Sequence, residues 1–89
     1  MELTKKQIFI KDLLSHYEKG ATCYQIINDN KGALKEKGID TEKINSVNAT
    51  LASLVTKGVA HKNDQKVYAK NLDNKEVLAT LYILNVENK

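Results

Sequence analysis

The sequence predicts a mainly α-helical domain with a small β-hairpin: three helices, the hairpin, and a C-terminal helix. Three observations lead there. Apolar residues recur at helical spacing in several separate stretches. Gly20, Gly38 and Gly58 each follow such a stretch, where a left-handed residue ends a helix. After Gly58 the apolar period shortens toward two, the period of a strand. With 89 residues and 42% hydrophobic content, residues 1–89 can bury one core. That is too little for a second core, or for an enzyme cleft walled by two domains.

The first helix is expected over about 4–18. Thr4 and Gln7 have the spacing of a capping box, and Ile8, Phe9, Leu13, Leu14 and Tyr17 form one apolar stripe. The second runs over about 22–29, opened by Thr22 and Gln25 and broken by Asn28, Asp29, Asn30 and Gly32. Residues 28–40 read either as a loop or as an added short helix around Ala33–Lys37. The third helix spans about 41–57. Its Ile44, Val47, Leu51, Leu54 and Val55 fall within roughly a quarter turn of one another. The hairpin, 59–70, consists of Val59–Lys62 and Lys66–Ala69 joined by Asn63, Asp64 and Gln65, two of which tolerate tight-turn geometry. The last helix is placed over about 74–86. Its β-branched and aromatic content suits a strand, but an Asp73–Glu76 cap, Ala79 and a length above ten residues favour helix.

The net charge is +3, and its distribution is uneven. Residues 41–70 carry Lys43, Lys57, Lys62, Lys66 and Lys70 against Glu42 and Asp64, so this window holds the whole excess. A basic window favours phosphate or an acidic partner surface. Every basic residue is Lys and none is Arg. Bidentate guanine readout by Arg is thereby absent, and Asn or Thr would have to supply base contacts. The Lys- and Asn-rich composition fits an A/T-rich coding sequence, as in phages and low-GC bacteria.

Several function classes are disfavoured. No apolar run reaches the roughly 18–20 residues of a membrane span, and the charged N-terminal stretch lacks a signal-peptide core. The single Cys23 cannot make an internal disulfide, and it suits a small core position in a cytoplasmic protein. His16 and His61 have no Cys/His/Asp cluster beside them, so no metal and no cofactor are expected. No nucleophile elbow, P-loop or dinucleotide fingerprint is present, and the chain is not expected to be an enzyme.

The pattern Ser46-Val47-Asn48-x-x-Leu51-x-x-Leu54-Val55-x-Lys57-Gly58-Val59-Ala60, followed by a polar-tipped hairpin, resembles the winged helix-turn-helix superfamily that includes MarR-type regulators. Within it, the stretch is most similar to the N-terminal winged-helix domain of MotA-type phage middle-promoter activators. The resemblance implies a helix in the major groove of double-stranded DNA and a wing on the flanking backbone. It also implies a second use, because winged helices of this kind contact host transcription proteins. The segment 28–40 is longer than the tight turn of a simple helix-turn-helix.

The candidate DNA-binding residues are therefore Lys43, Asn45, Ser46, Asn48, Thr50, Ser53 and Lys57 on or beside the third helix, and His61, Lys62, Asn63, Lys66 and Lys70 around the hairpin. The outer side of that helix has no charge between Lys43 and Lys57, which is unusual for a merely solvated face. The leading expectation is a small DNA-binding transcription regulator, acting in the host cytoplasm if phage-encoded. The alternative is a protein-interaction module that binds host RNA polymerase or another host protein without DNA. For Leu78, Tyr82, Ile83 and Val86 on the expected last helix, two readings stay open: a homodimer interface, or packing against the first helix of the same chain.

Overall fold

The computed structural model describes residues 2–85. Helix α1, Lys5–Ser15, opens with the full capping box. The Gln7 amide donates to Thr4 Oγ1 at 3.1 Å, and the Thr4 amide donates to Gln7 Oε1 at 2.8 Å. Helix α2, Cys23–Asp29, starts from Thr22, whose hydroxyl accepts from the Gln25 amide at 3.1 Å. The open question over 28–40 resolves as an added helix, α3, Lys31–Glu36. Gly38 (φ 73°) closes it, and the Ile39 amide returns to Leu34 O at 3.0 Å. Leu34 and Ile39 are both buried, so this short helix is anchored by its own C-terminal turn.

The predicted third helix is α4, Asn45–Thr56, four residues shorter at its start than expected. Residues 41–44 form bends instead, with Asp40 Oδ1 accepting from the Glu42 amide at 2.8 Å. That local bond offers the backbone an alternative to a helical turn. Gly58 (φ 76°) ends α4 with the same paired returns, Gly58 N to Val55 O at 3.0 Å and Val59 N to Leu54 O at 2.9 Å.

Two expectations fail beyond Gly58. Residues 74–85, the described part of the expected last helix, do not form a helix, and the two expected strands do not pair with each other. The chain instead makes β1 (Ala60–Lys62), β2 (Val67–Lys70), β3 (Glu76–Ala79) and β4 (Tyr82–Leu84). β1 pairs with β4 and β2 with β3, both antiparallel. All four therefore belong to one two-stranded ribbon that runs out along 60–70 and returns along 76–84. Lys62 to Val67 spans five residue steps where Ala79 to Tyr82 spans three, so the outgoing strand carries two extra residues and the ribbon bends there. Asn63, Asp64 and Gln65 are that bend, not the turn.

The turn is at 71–75. Asn71 and Lys75 close it (Asn71 N to Lys75 O, 2.8 Å), Asn74 N donates to Asn71 O at 3.0 Å, and Asn74 sits at φ 63°. Asn71 Oδ1 accepts from the amides of Asp73 (2.9 Å) and Lys75 (3.0 Å). A three-residue loop with a left-handed Asn in its last position is a favoured hairpin connection. Of the Asp73–Glu76 pair that resembles a helix cap, Asp73 lies in this turn and Glu76 opens β3.

The core forms where α1, α2, α3 and α4 meet. Ile10, Leu14, Ile26, Ile27, Leu34, Val47, Leu51 and Leu54 are essentially fully buried, each contributing roughly 1.5–3 kcal/mol by its burial. The root of the ribbon closes it through Ala60 and Tyr82. Tyr82 is also bridged to the α1–α2 connection, since it and Ala21 exchange both backbone hydrogen bonds at 2.9 Å. Among the described residues no helix is long and apolar enough to cross a membrane.

Burial pushes the Cys23 thiol and the Tyr82 phenol above their ordinary ranges, because the charged forms lose hydration. The folded state holds both groups neutral, while the unfolded chain ionises them at ordinary values. Their stabilisation is complete below the unfolded thiol value of about 8.5 and declines as pH rises through the raised folded values. The urea midpoint is expected to hold steady from neutrality to about pH 8 and to fall above about pH 9. Cys23→Ala should blunt the first part of that fall, measured against the wild type by urea titration at each pH.

Candidate nucleic-acid interface

Helix α4 sorts the candidate residues by helical phase. Asn45, Ala49, Ala52 and Thr56 are exposed and form a single stripe one helix face wide. It carries no charge, and its two alanines leave the backbone open to close approach. Two flanks border this stripe, and both are partly engaged within the molecule.

On the α1 side, four nominated residues are drawn into packing. Lys6 Nζ donates to Ser46 Oγ. Gln7 Nε2 donates to Ser53 Oγ at 2.9 Å, and Ser53 Oγ donates onward to Thr50 O at 2.7 Å. Thr50 is 7% exposed, with its hydroxyl donating to Ser46 O at 2.9 Å. Lys57 Nζ donates to Gln7 Oε1 at 2.7 Å and to Glu2 O at 3.0 Å. Thr50 is therefore not available to an external partner, and Ser46, Ser53 and Lys57 are tied to the helix contact. The polar character read as a recognition face is here the polar edge of an α1–α4 interface centred on the buried Gln7.

On the ribbon side, Asn48 Oδ1 accepts from the Tyr82 hydroxyl at 3.1 Å. Asn48 lines a shallow depression of about 170 Å³ with Tyr24, Ile44, Lys66, Leu78 and Thr80. The structure thus brings Asn48 and Lys66 together, with Lys43 one residue before Ile44 and exposed. Lys62 is exposed on β1. His61 Nδ1 lies 2.6 Å from Asn85 Oδ1, and Asn85 Nδ2 donates to Gly58 O at 2.7 Å, so the imidazole belongs to the foot of the ribbon. Asn63 stiffens the bend, its amide donating to Leu81 O at 2.8 Å and its Nδ2 to Gln65 O at 2.9 Å. Lys70 stands across the ribbon from Glu76, beside the tip and away from the bend.

The three described residues nominated for a dimer interface, Leu78, Tyr82 and Ile83, do not share a face. Tyr82 is 4% exposed and sits in the core, Ile83 is half-buried with its Cγ1 against Gly20, and Leu78 is exposed on β3. Val86 lies outside the described residues.

Two features escape the sequence pattern. Lys5, Lys6 and Lys37 rim a pocket of about 400 Å³ floored by Phe9 and Ile39, and the Lys37 ammonium stands 5.5 Å from the Phe9 ring centroid. Through Lys6 and Ser46 this cationic pocket adjoins the first turn of α4. Lys37 arrives there only because α3 carries it, so spacing along the chain held no sign of the cluster. The second is Tyr68, 70% exposed on β2 and paired with Leu78. Among the described residues no group of three His, Cys, Asp or Glu side chains could hold a metal.

Compared with family models, curated proteins and solved structures, the chain matches none.

Proposed function

We propose that this chain is a small DNA-binding regulator of winged-helix type. The observation that carries the reading is the uncharged stripe Asn45–Ala49–Ala52–Thr56, left open between two lysine-bearing flanks. The order of elements supports it: a helix, a bridging residue at Ala21, further helices ending in α4, then a two-stranded ribbon whose return strand pairs back to that bridge. In this reading α4 enters the major groove. Asn45 meets an adenine edge, and Thr56 presents a methyl and a hydroxyl to thymine or phosphate. Lys62 and Lys66 grip the backbone on the ribbon side, and Lys5 and Lys37 on the α1 side. A regulator of this kind acts where the DNA is, in the cytoplasm, which is the host's if the chain is phage-encoded.

The test is the salt dependence of binding to a mixed-sequence duplex, followed by fluorescence anisotropy. Each phosphate contact contributes about 0.9 to the slope of log affinity against log salt, so these four lysines predict a slope of about −3.6. No binding at low salt up to tens of micromolar would remove the proposal and leave the same surface to a protein partner.

A further inference from the structure

On the distal part of the ribbon the two largest apolar side chains lie on the outer face. Strand residues alternate between faces. Val67, Ala69, Val77 and Ala79 occupy the inner face, half-buried or buried. The larger Tyr68 and Leu78 occupy the outer one, 70% and 56% exposed, and they are direct cross-strand partners. Single exposed apolar residues are ordinary, but a paired aromatic and leucine at the crest of a narrow ribbon is a built feature. The same face carries Lys66 and Lys70, two residues to either side of Tyr68, and Glu76 opposite Lys70. Leu78 and Lys66 line the depression that Asn48 of α4 also lines, so this crest is continuous with the flank of the proposed recognition helix.

Size decides the occupant. Tyr68 and Leu78 together offer on the order of 250 Å² of exposed side chain. A stable protein interface takes about 800 Å² from each partner, so the pair is too small to hold a second copy or a folded partner. It is, however, the right size for a wedge between two base pairs, which needs one or two apolar side chains held beside cations. We propose that Tyr68 and Leu78 form such a wedge, inserting from the ribbon into the minor groove, partly unstacking one base step and kinking the duplex while Lys66 and Lys70 hold the flanking phosphates. This deepens the DNA-binding reading and rests on it.

The experiment uses the full chain and a duplex labelled at both ends for energy transfer, with 2-aminopurine placed at successive steps. Wild type is expected to shorten the end-to-end distance, in line with a kink within the roughly 20–90° range of such wedges, and to raise 2-aminopurine emission at one step. Tyr68→Ala and Leu78→Ala should lose both signals while still binding with a salt-dependent affinity lowered about tenfold. Both side chains are largely exposed, so each truncation should cost no more than a cross-strand pair contributes and leave the domain folded in thermal melts. Lys66→Gln should weaken binding but keep the kink in the DNA that is bound. A wild type that binds without bending, or a Tyr68→Ala variant that bends as well as wild type, would overturn the wedge and leave DNA binding intact. A chain that binds no duplex at all would take both readings down. A concentration-dependent dimer lost in Tyr68→Ala would reassign the pair to self-association.

Discussion

Gly20→Ala is expected to destabilise the domain by roughly 3 kcal/mol or more, the largest effect of a methyl group added at any of its four glycines. Gly20 sits at φ 93°, a conformation that side chains rarely adopt. A Cβ there would lie 2.6 Å from Tyr82 O and 2.6 Å from Ile83 Cγ1. The first of these is backbone and cannot rotate away. It is also the acceptor for the Ala21 amide, so relieving the clash pulls apart the bridge that fastens the ribbon to the α1–α2 connection. In a domain of this size, 3 kcal/mol lowers the melting temperature by on the order of 15 °C. Gly58→Ala is the control. Gly58 is also left-handed, at φ 76°, but an added Cβ meets nothing within 4 Å, so only the backbone strain of about 1–2 kcal/mol remains. Equal losses for the two variants, read by thermal melts, would show that the bridge at Ala21 tolerates displacement.

Reversing two charges on the ribbon, Lys62→Glu with Lys66→Glu, is expected to have the largest effect on function. Each change removes a cation and places an anion against the phosphate backbone. Two lost contacts should lower the salt slope by about 2. With the added repulsion, affinity should fall at least a hundredfold at moderate salt, or on the order of 3 kcal/mol. Both side chains are exposed, and Lys62 faces Tyr82 across the ribbon with no acid in register, so the fold should hold. Ser53→Ala provides the contrast. Its hydroxyl accepts from the buried Gln7 amide, so its loss leaves a donor unsatisfied and costs about 1–3 kcal/mol of stability. The salt slope should not change. If Ser53→Ala weakens DNA binding as strongly as the lysine reversal does, without loss of stability, then the α1-facing edge of α4 reaches DNA and the exposed stripe does not mark the contact.

The helices were the readable part of this chain, and the ribbon was not. Thr4, Gln7 and Thr22 mark helix starts through bonds to amides three residues away, and Gly38 and Gly58 mark stops through returns within one turn. Such signals are complete within a few residues. The last segment misleads for an identifiable reason. Its apolar residues belong to two short strands, β3 and β4, separated by Thr80 and Leu81, and the interruption breaks the period of two into something that passes for a helical stripe. The hairpin turn was misplaced because Asn63-Asp64-Gln65 and Asn71–Lys75 are both turn-like by composition. Only the pairing of β2 with β3 distinguishes a bend from a reversal.

The candidate site divides in the same way. Asn45 and Lys66 could be nominated from type and position, and both remain exposed. Ser46, Ser53 and Lys57 are equally polar, yet α1 claims them through Gln7 and Lys6, residues some forty to fifty positions earlier, and Thr50 is buried with its hydroxyl turned back to Ser46 O. Lys37 gained its setting from Phe9, far earlier in the chain, and Tyr68 from Leu78 across the ribbon turn.

What the amino-acid order determined by itself is therefore α1, α2 and most of α4, the caps at Thr4 and Thr22, the stops at Gly38 and Gly58, and a surplus of lysine around α4, because hydrogen bonds and side-chain spacing within one or two turns suffice for these. Tertiary structure alone decided that the final segment is the return strand of a ribbon, where that ribbon reverses, and which polar residues of α4 stay open. Those outcomes depend on pairing and burial between distant segments. The free energy of such contacts is shared by both partners and is not encoded in either stretch alone.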